Sequence, residues 1–144
     1  MNVTLSRVAL YAIAAVALVF GLATIISGGQ VLFGSEAARE AAGHYLPFVV
    51  WFNFLAGFAY VAAAIGLATR QAWAAHVALV IAVATVLVFF YFGLYVLTGA
   101  PFEMRTVGAM TLRTALWAGI AWFARRQVGG RLGWARGIRH HERR

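Results

Sequence analysis

The sequence predicts an all-α, polytopic membrane protein: a four-transmembrane-helix bundle with both termini in the cytoplasm. Three observations carry this. The 144 residues are 63% hydrophobic and only 11% charged, where a water-soluble domain carries about 25% charged residues. Four apolar stretches are long enough to cross a hydrocarbon core about 30 Å thick, which takes about 20 helical residues. The arginines fall overwhelmingly on one side of those stretches. A transmembrane domain over 1–126 is expected, with spans at about 8–26, 47–68, 73–97 and 106–124, followed by a basic tail over 127–144.

The first stretch, from Val8 to about Ile26, resembles a signal peptide in position but has an apolar run of about 19 residues. That is longer than the usual 7–15, and no convincing small-residue cleavage site follows. It reads as a retained span, ended by Gly28 and Gly29. The connection "SGGQVLFGSEAAREAAGHYLP" comes next. Ser35 is placed to cap a short helix rich in Ala and Glu, Gly43 to close it, and Pro47 to open the second span. The connection "TRQAW" is too short for anything but antiparallel neighbours, so spans two and three pack side by side. The fourth span, from about Thr106 to Ala124, contains Arg113.

All twelve basic residues are arginine, the acids are Glu36, Glu40, Glu103 and Glu142, and no lysine or aspartate occurs. An Ala- and Arg-rich chain without lysine points to a GC-rich bacterial genome, and hence to a bacterial inner membrane. With four spans, Arg7, Arg70, Arg125, Arg126, Arg131, Arg136, Arg139, Arg143 and Arg144 lie on one side, and only Arg39 and Arg105 on the other. Positive residues stay inside, so the termini are expected in the cytoplasm and the first and third connections outside. The net charge of +8 is concentrated beside a span. Anionic lipid is therefore a nearer partner for the tail than nucleic acid, which is not expected.

The absence of cysteine removes disulfides, thiolate metal sites, iron–sulfur clusters and thiol redox chemistry. No HExxH, P-loop, dinucleotide fingerprint or serine nucleophile with an evident base occurs. The sequence announces no cofactor.

One residue breaks the apolar pattern. Arg113 lies seven residues into its span, on the order of 10 Å below the outer boundary, where an arginine costs about 2.5–3.5 kcal/mol on insertion scales. Such residues face a bundle interior or a water-filled cavity and have a partner. Snorkelling toward the headgroups is the simplest alternative, although Arg105 already marks that end of the helix. At the same depth lie Asn53 on span two, Tyr91 and Tyr95 one turn apart on span three, and Thr24 and Ser27 on span one. Thr106, Met110, Arg113 and Trp117 share one stripe, and Asn53, Gly57 and Tyr60 another. The expectation is an outward-facing polar pocket with Arg113 at its floor, using Asn53, Tyr91, Tyr95, Glu103 and Arg105 as ligand-binding residues. The tyrosines serve equally well as interfacial anchors, and Asn53 as a helix–helix hydrogen-bonding group.

Glu36, Glu40 and His44 recur at four-residue spacing and offer oxygen and imidazole ligands for a divalent metal, but Gly43 interrupts their helix. A haem between His44 and His76 fails because the two lie near opposite faces of the bilayer. His140 and His141 read as solvated tail residues. A quinone or lipid-headgroup pocket is compatible with the tyrosine, tryptophan and arginine content, which equally makes an aromatic belt. The leading expectation is a non-catalytic accessory or binding component, with a membrane-protein partner or a second copy beside it. The rival is a transporter of a small anionic or lipid-like solute, or a quinone- or metal-linked redox protein.

Overall fold

A computed structural model describes residues 3–141, with side chains described from Arg7 to Gln127. All five elements found there are helices: α1 (Val3–Phe33), α2 (Glu36–Ala42), α3 (Pro47–Ala68), α4 (Ala72–Leu97) and α5 (Met104–His141). Three of them, α1 from Arg7 onward, α3 and α4, are long and apolar enough to cross a membrane. The apolar stretch of α5 is diluted by Arg113 and is not among them.

Each boundary has a local cause. Pro47 sits in the first turn of α3, where its missing N–H costs nothing. The C-terminus of α3 closes with Arg70 in the left-handed region at φ 57°. There the Gln71 N–H donates to the Gly66 carbonyl at 2.8 Å and the Arg70 N–H to the Leu67 carbonyl at 3.1 Å, the paired bonds of a Schellman close. Ser35 caps α2 through its side chain, which accepts from the Ala38 N–H, and Gly43 closes it at φ 67°.

Two expected boundaries differ. α1 does not stop at Gly28 and Gly29 but runs on to Phe33. Gly28 is packing space rather than a stop: a Cβ there would lie 3.1 Å from the Cβ of Phe54. A helix whose flank is covered by a neighbour keeps its backbone hydrogen bonds through a glycine, as membrane helices commonly do. At the other end α5 runs without a break past residue 126 and through Gly129, Gly130, Gly133 and Gly137. The side chains of that tail, His140 and His141 among them, lie outside the described residues, as does Glu142.

The long helices pack antiparallel in chain order. α1 lies along α3, α3 along α4, and α4 along α5. Gly21 faces Gly57, Tyr60 and Val61 while Gly28 faces Phe54, so the numbering runs in opposite senses. Gly57 is the closest approach, since an added Cβ would come within 2.6 Å of an Ile25 side-chain carbon and 3.1 Å of the Gly21 carbonyl oxygen. This is the small-residue contact that lets two membrane helices touch backbone to backbone.

The buried apolar side chains form two clusters. The larger holds Ala14, Ala17, Ala63, Ala64, Leu67, Ala74, Ala78, Ile120 and Ala121 around Tyr60 and Trp117. The smaller holds Leu46, Val49, Phe92 and Met110 near the α2 end. The buried polar residues among those described are Thr24, Thr85 and Arg113; Arg113 reaches Thr24, and Thr85 lies beside the Tyr60 hydroxyl.

Candidate functional site

Arg113 is only 7% exposed. It enters the interior because α5 presents Met110, Arg113 and Trp117 on one buried stripe. The guanidinium crosses to α1, where its carbon lies 5.6 Å from the Phe20 ring centroid. Nη2 donates to Thr24 Oγ1 at a long 3.5 Å, and Nη1 reaches Met110 Sδ at 4.0 Å. The Tyr60 hydroxyl lies beside the guanidinium and beside Thr85. Tyr60 also packs its ring on Trp117, with centroids 4.6 Å apart.

These contacts leave much unsatisfied. Arg113 Nε, Trp117 Nε1 and Asn53 Oδ1 are buried without a hydrogen-bond partner, and Tyr60 OH and Thr85 Oγ1, though beside one another, do not meet in a well-formed bond. Among the described residues Arg113 has no carboxylate in ion-pair range. A buried charge without a countercharge is costly, and groups of this kind are normally paired.

Above Arg113 opens a cleft of about 430 Å³, within the range of small-molecule sites. Its walls come from Ser27, Gln30 and Val31 of α1, Val49, Val50 and Asn53 of α3, and Thr106, Ala109 and Arg113 of α5. Ala38, Ala41 and Ala42 of α2 form its cover, with Glu103 and Arg105 at its edge.

The cover is tied down at both sides. Arg39 Nε donates to the Val31 carbonyl at the end of α1, at 3.3 Å. Arg105 Nη2 donates to the carbonyls of Ala41 and Ala42 at 2.9 and 3.2 Å, placing a cation on the negative end of α2. Glu103 Oε1 accepts from the His44 N–H at 2.9 Å and lies 3.4 Å from His44 Nδ1. The His44 N–H, seconded by the His44 ring and the Arg105 charge, holds the Glu103 carboxyl below its ordinary value of 4.5. Gly43 makes room for this carboxylate, because a Cβ at that position would collide with Glu103 Oε1.

Compared with protein-family models, with curated proteins and with solved structures, the chain matches none. The geometry alone therefore carries the functional argument.

The structure brings Arg113, Asn53, Glu103 and Arg105 to one cleft. It sends Tyr91 and Tyr95 elsewhere. They are 58% and 37% exposed and pack edge-on against Phe48, with centroids 5.2 and 6.2 Å away. They form an outer aromatic cluster and do not line the cleft. α4 rotates them away because its buried face, on Ala78, Ile81, Ala82, Thr85 and Phe92, is a different one.

The metal proposal for Glu36, Glu40 and His44 also fails to assemble. Among the described residues no three metal-ligating side chains converge. Gly43 ends α2 before His44, which turns instead to Glu103.

Sequence reasoning did not anticipate Phe20 under the guanidinium or Thr85 facing Tyr60. Thr85 carried a signal, being a polar residue in the middle of the apolar run "AVATVLV". Phe20 carried none, since one phenylalanine in an apolar span looks like any other.

Proposed function

We propose that this protein is a four-span membrane protein with cytoplasmic termini that binds a small monoanionic group in an outward-facing cleft, as a binding or accessory component rather than an enzyme. The reading places the apolar stretch 106–124 of α5 across the bilayer beside α1, α3 and α4. The arginine asymmetry supports that orientation, with Arg39 and Arg105 alone on the cleft side.

One observation carries the ligand class. Arg113 is buried at the cleft floor with its Nε unpaired and no carboxylate against it. The other charges of the lining are committed: Glu103 to His44, and Arg105 to the α2 carbonyls. Two arginines and one glutamate leave the lining at +1, which a single negative charge balances. Asn53 lines the same cleft and brings an amide able to donate to or accept from a bound ligand.

The transport reading draws on Tyr60, Thr85 and Trp117, whose unpaired polar atoms lie around Arg113 toward the larger apolar cluster. Beyond them the interior closes on Ala14, Ala17, Ala63, Ala64 and Ala78, a wall that favours binding over passage.

The test is a thermal-unfolding titration of delipidated protein with acetate and with dimethyl phosphate. Saturating either at about 100 times its dissociation constant adds about 2.7 kcal/mol, and Arg113→Met abolishes the shift. No Arg113-dependent shift with any monoanion overturns the reading.

A further inference from the structure

The polar end of the cleft is only half of it. α1 and α5 pack against each other far less than any of the neighbouring pairs in the bundle. They meet where Arg113 reaches Thr24 and Phe20. On the α2 side of that point Ser27 and Gln30 on α1 and Ala109 on α5 line the cleft while exposed. Their neighbours on the outer surface, Ile26 on α1 and Leu112 on α5, are exposed apolar side chains. In a bilayer this seam is therefore a window from the cleft into the acyl-chain region.

The walls match such an opening. Val31, Val49, Val50 and Ala109 are apolar, and the charges lie at the floor and under α2. A guanidinium suits the planar pair of oxygens of a phosphate or carboxylate. The +1 lining favours a phosphodiester, which carries one negative charge, over a phosphate monoester, which carries about 1.5–2 at neutral pH. The Asn53 amide in the lining is the group that can hydrogen-bond a headgroup bearing hydroxyls.

Building on the anion-binding reading above, we propose that the cleft receives the hydroxyl-bearing phosphodiester headgroup of an anionic phospholipid, which enters sideways through the α1–α5 seam and leaves its acyl chains in the bilayer. Arg113 holds the phosphate, Asn53 accepts from a headgroup hydroxyl, and α2 covers the headgroup from the aqueous side.

The test uses the full chain in mild detergent and three probes: dioleoyl phosphatidylglycerol, dioleoyl phosphatidylcholine, and deacylated glycerophosphoglycerol. Native mass spectrometry counts retained lipid, and a thermal shift reports the soluble headgroup. Expected are at least tenfold preferential retention of phosphatidylglycerol over phosphatidylcholine and its loss in Arg113→Met. Leu112→Trp obstructs the window from α5 and Ile26→Trp from α1, both exposed and outside the cleft lining. Each is expected to reduce phosphatidylglycerol retention at least tenfold while the soluble headgroup still shifts the melt. If the soluble headgroup binds through Arg113 but the lipid does not, or if both plugged variants retain the lipid as wild type does, lateral lipid capture is wrong and the anion site stands. If neither probe binds through Arg113, lateral lipid capture is wrong, and the acetate and dimethyl phosphate titrations alone decide the anion site.

Discussion

Arg113→Met separates a binding arginine from a structural one, because the two roles predict opposite signs in stability. A buried ion that lacks a good partner is commonly replaced by an apolar side chain of similar volume at no cost, or with a gain of about 1–4 kcal/mol. At Arg113 the favourable contacts are weak. The bond to Thr24 is at the 3.5 Å limit and is worth at most the lower end of about 0.5–1.5 kcal/mol. The Phe20 contact at 5.6 Å adds about 0.5–2 kcal/mol. On the proposed four-span reading, the opposing term is the insertion cost of about 2.5–3.5 kcal/mol for an arginine deep in a span. The ligand-free variant should therefore match the wild type or exceed it by up to about 3 kcal/mol, taken as the difference of those terms. The assay is equilibrium unfolding of delipidated protein in mixed micelles, with helicity as the signal. A loss of about 2 kcal/mol or more, of the size seen when one partner of a paired buried charge is removed, would show that the guanidinium is satisfied by the protein itself and would refute the reasoning.

Further outcomes follow from the packing. Gly57→Ala should destabilise by about 1–3 kcal/mol, the cost of overpacking, because its Cβ lands 2.6 Å from Ile25 and 3.1 Å from the Gly21 backbone oxygen; the same unfolding assay reads it. Tyr60→Phe should change stability by less than about 1 kcal/mol, since the hydroxyl it removes is buried and unpartnered, whereas Trp117→Ala should cost about 3–5 kcal/mol as a large, fully buried side chain is lost. Gly43→Ala should loosen α2, because it forces a side chain onto φ 67° and against Glu103; faster hydrogen exchange over residues 36–46 is the readout. The Glu103 latch should depend on pH in one direction. Its carboxyl is held below 4.5 in the folded protein, so its contribution is fully present above that value and is lost as pH falls through the lowered one. The chain has no cysteine, so a spin label at Ala37→Cys reports α2 alone. Its mobility should rise only on acidification through the lowered value, below the ordinary 4.5, and Glu103→Gln should raise it at neutral pH.

What was legible in the sequence, and what was not, has a physical pattern. Element ends with a chemical marker were readable: Ser35, Gly43 and Pro47 each sit where the backbone needs that residue. Depth was readable too, since counting 1.5 Å per residue puts Asn53 and Arg113 at one level, and both line the cleft. Rotation was not. α4 is apolar on nearly all sides, with Thr85 the single polar marker of its inward face in the middle of the apolar run, and Tyr91 and Tyr95 had the right depth and the wrong direction. Arg113 broke that degeneracy on α5, because a guanidinium avoids lipid. The latch of Glu103, His44 and Arg105 joins residues about sixty positions apart. It arises from where two loops land once the helices pack, which no local pattern encodes. Gly28 misled because a glycine that ends a helix in water can equally be the contact point of two helices in a membrane.

The most direct test is native mass spectrometry of wild type and Arg113→Met, purified side by side under the mildest detergent conditions and opened afterwards to identify what stayed bound. The account predicts one singly charged anionic molecule per wild-type chain and none on the variant. An empty wild type, or the same molecule at the same occupancy on Arg113→Met, would contradict it.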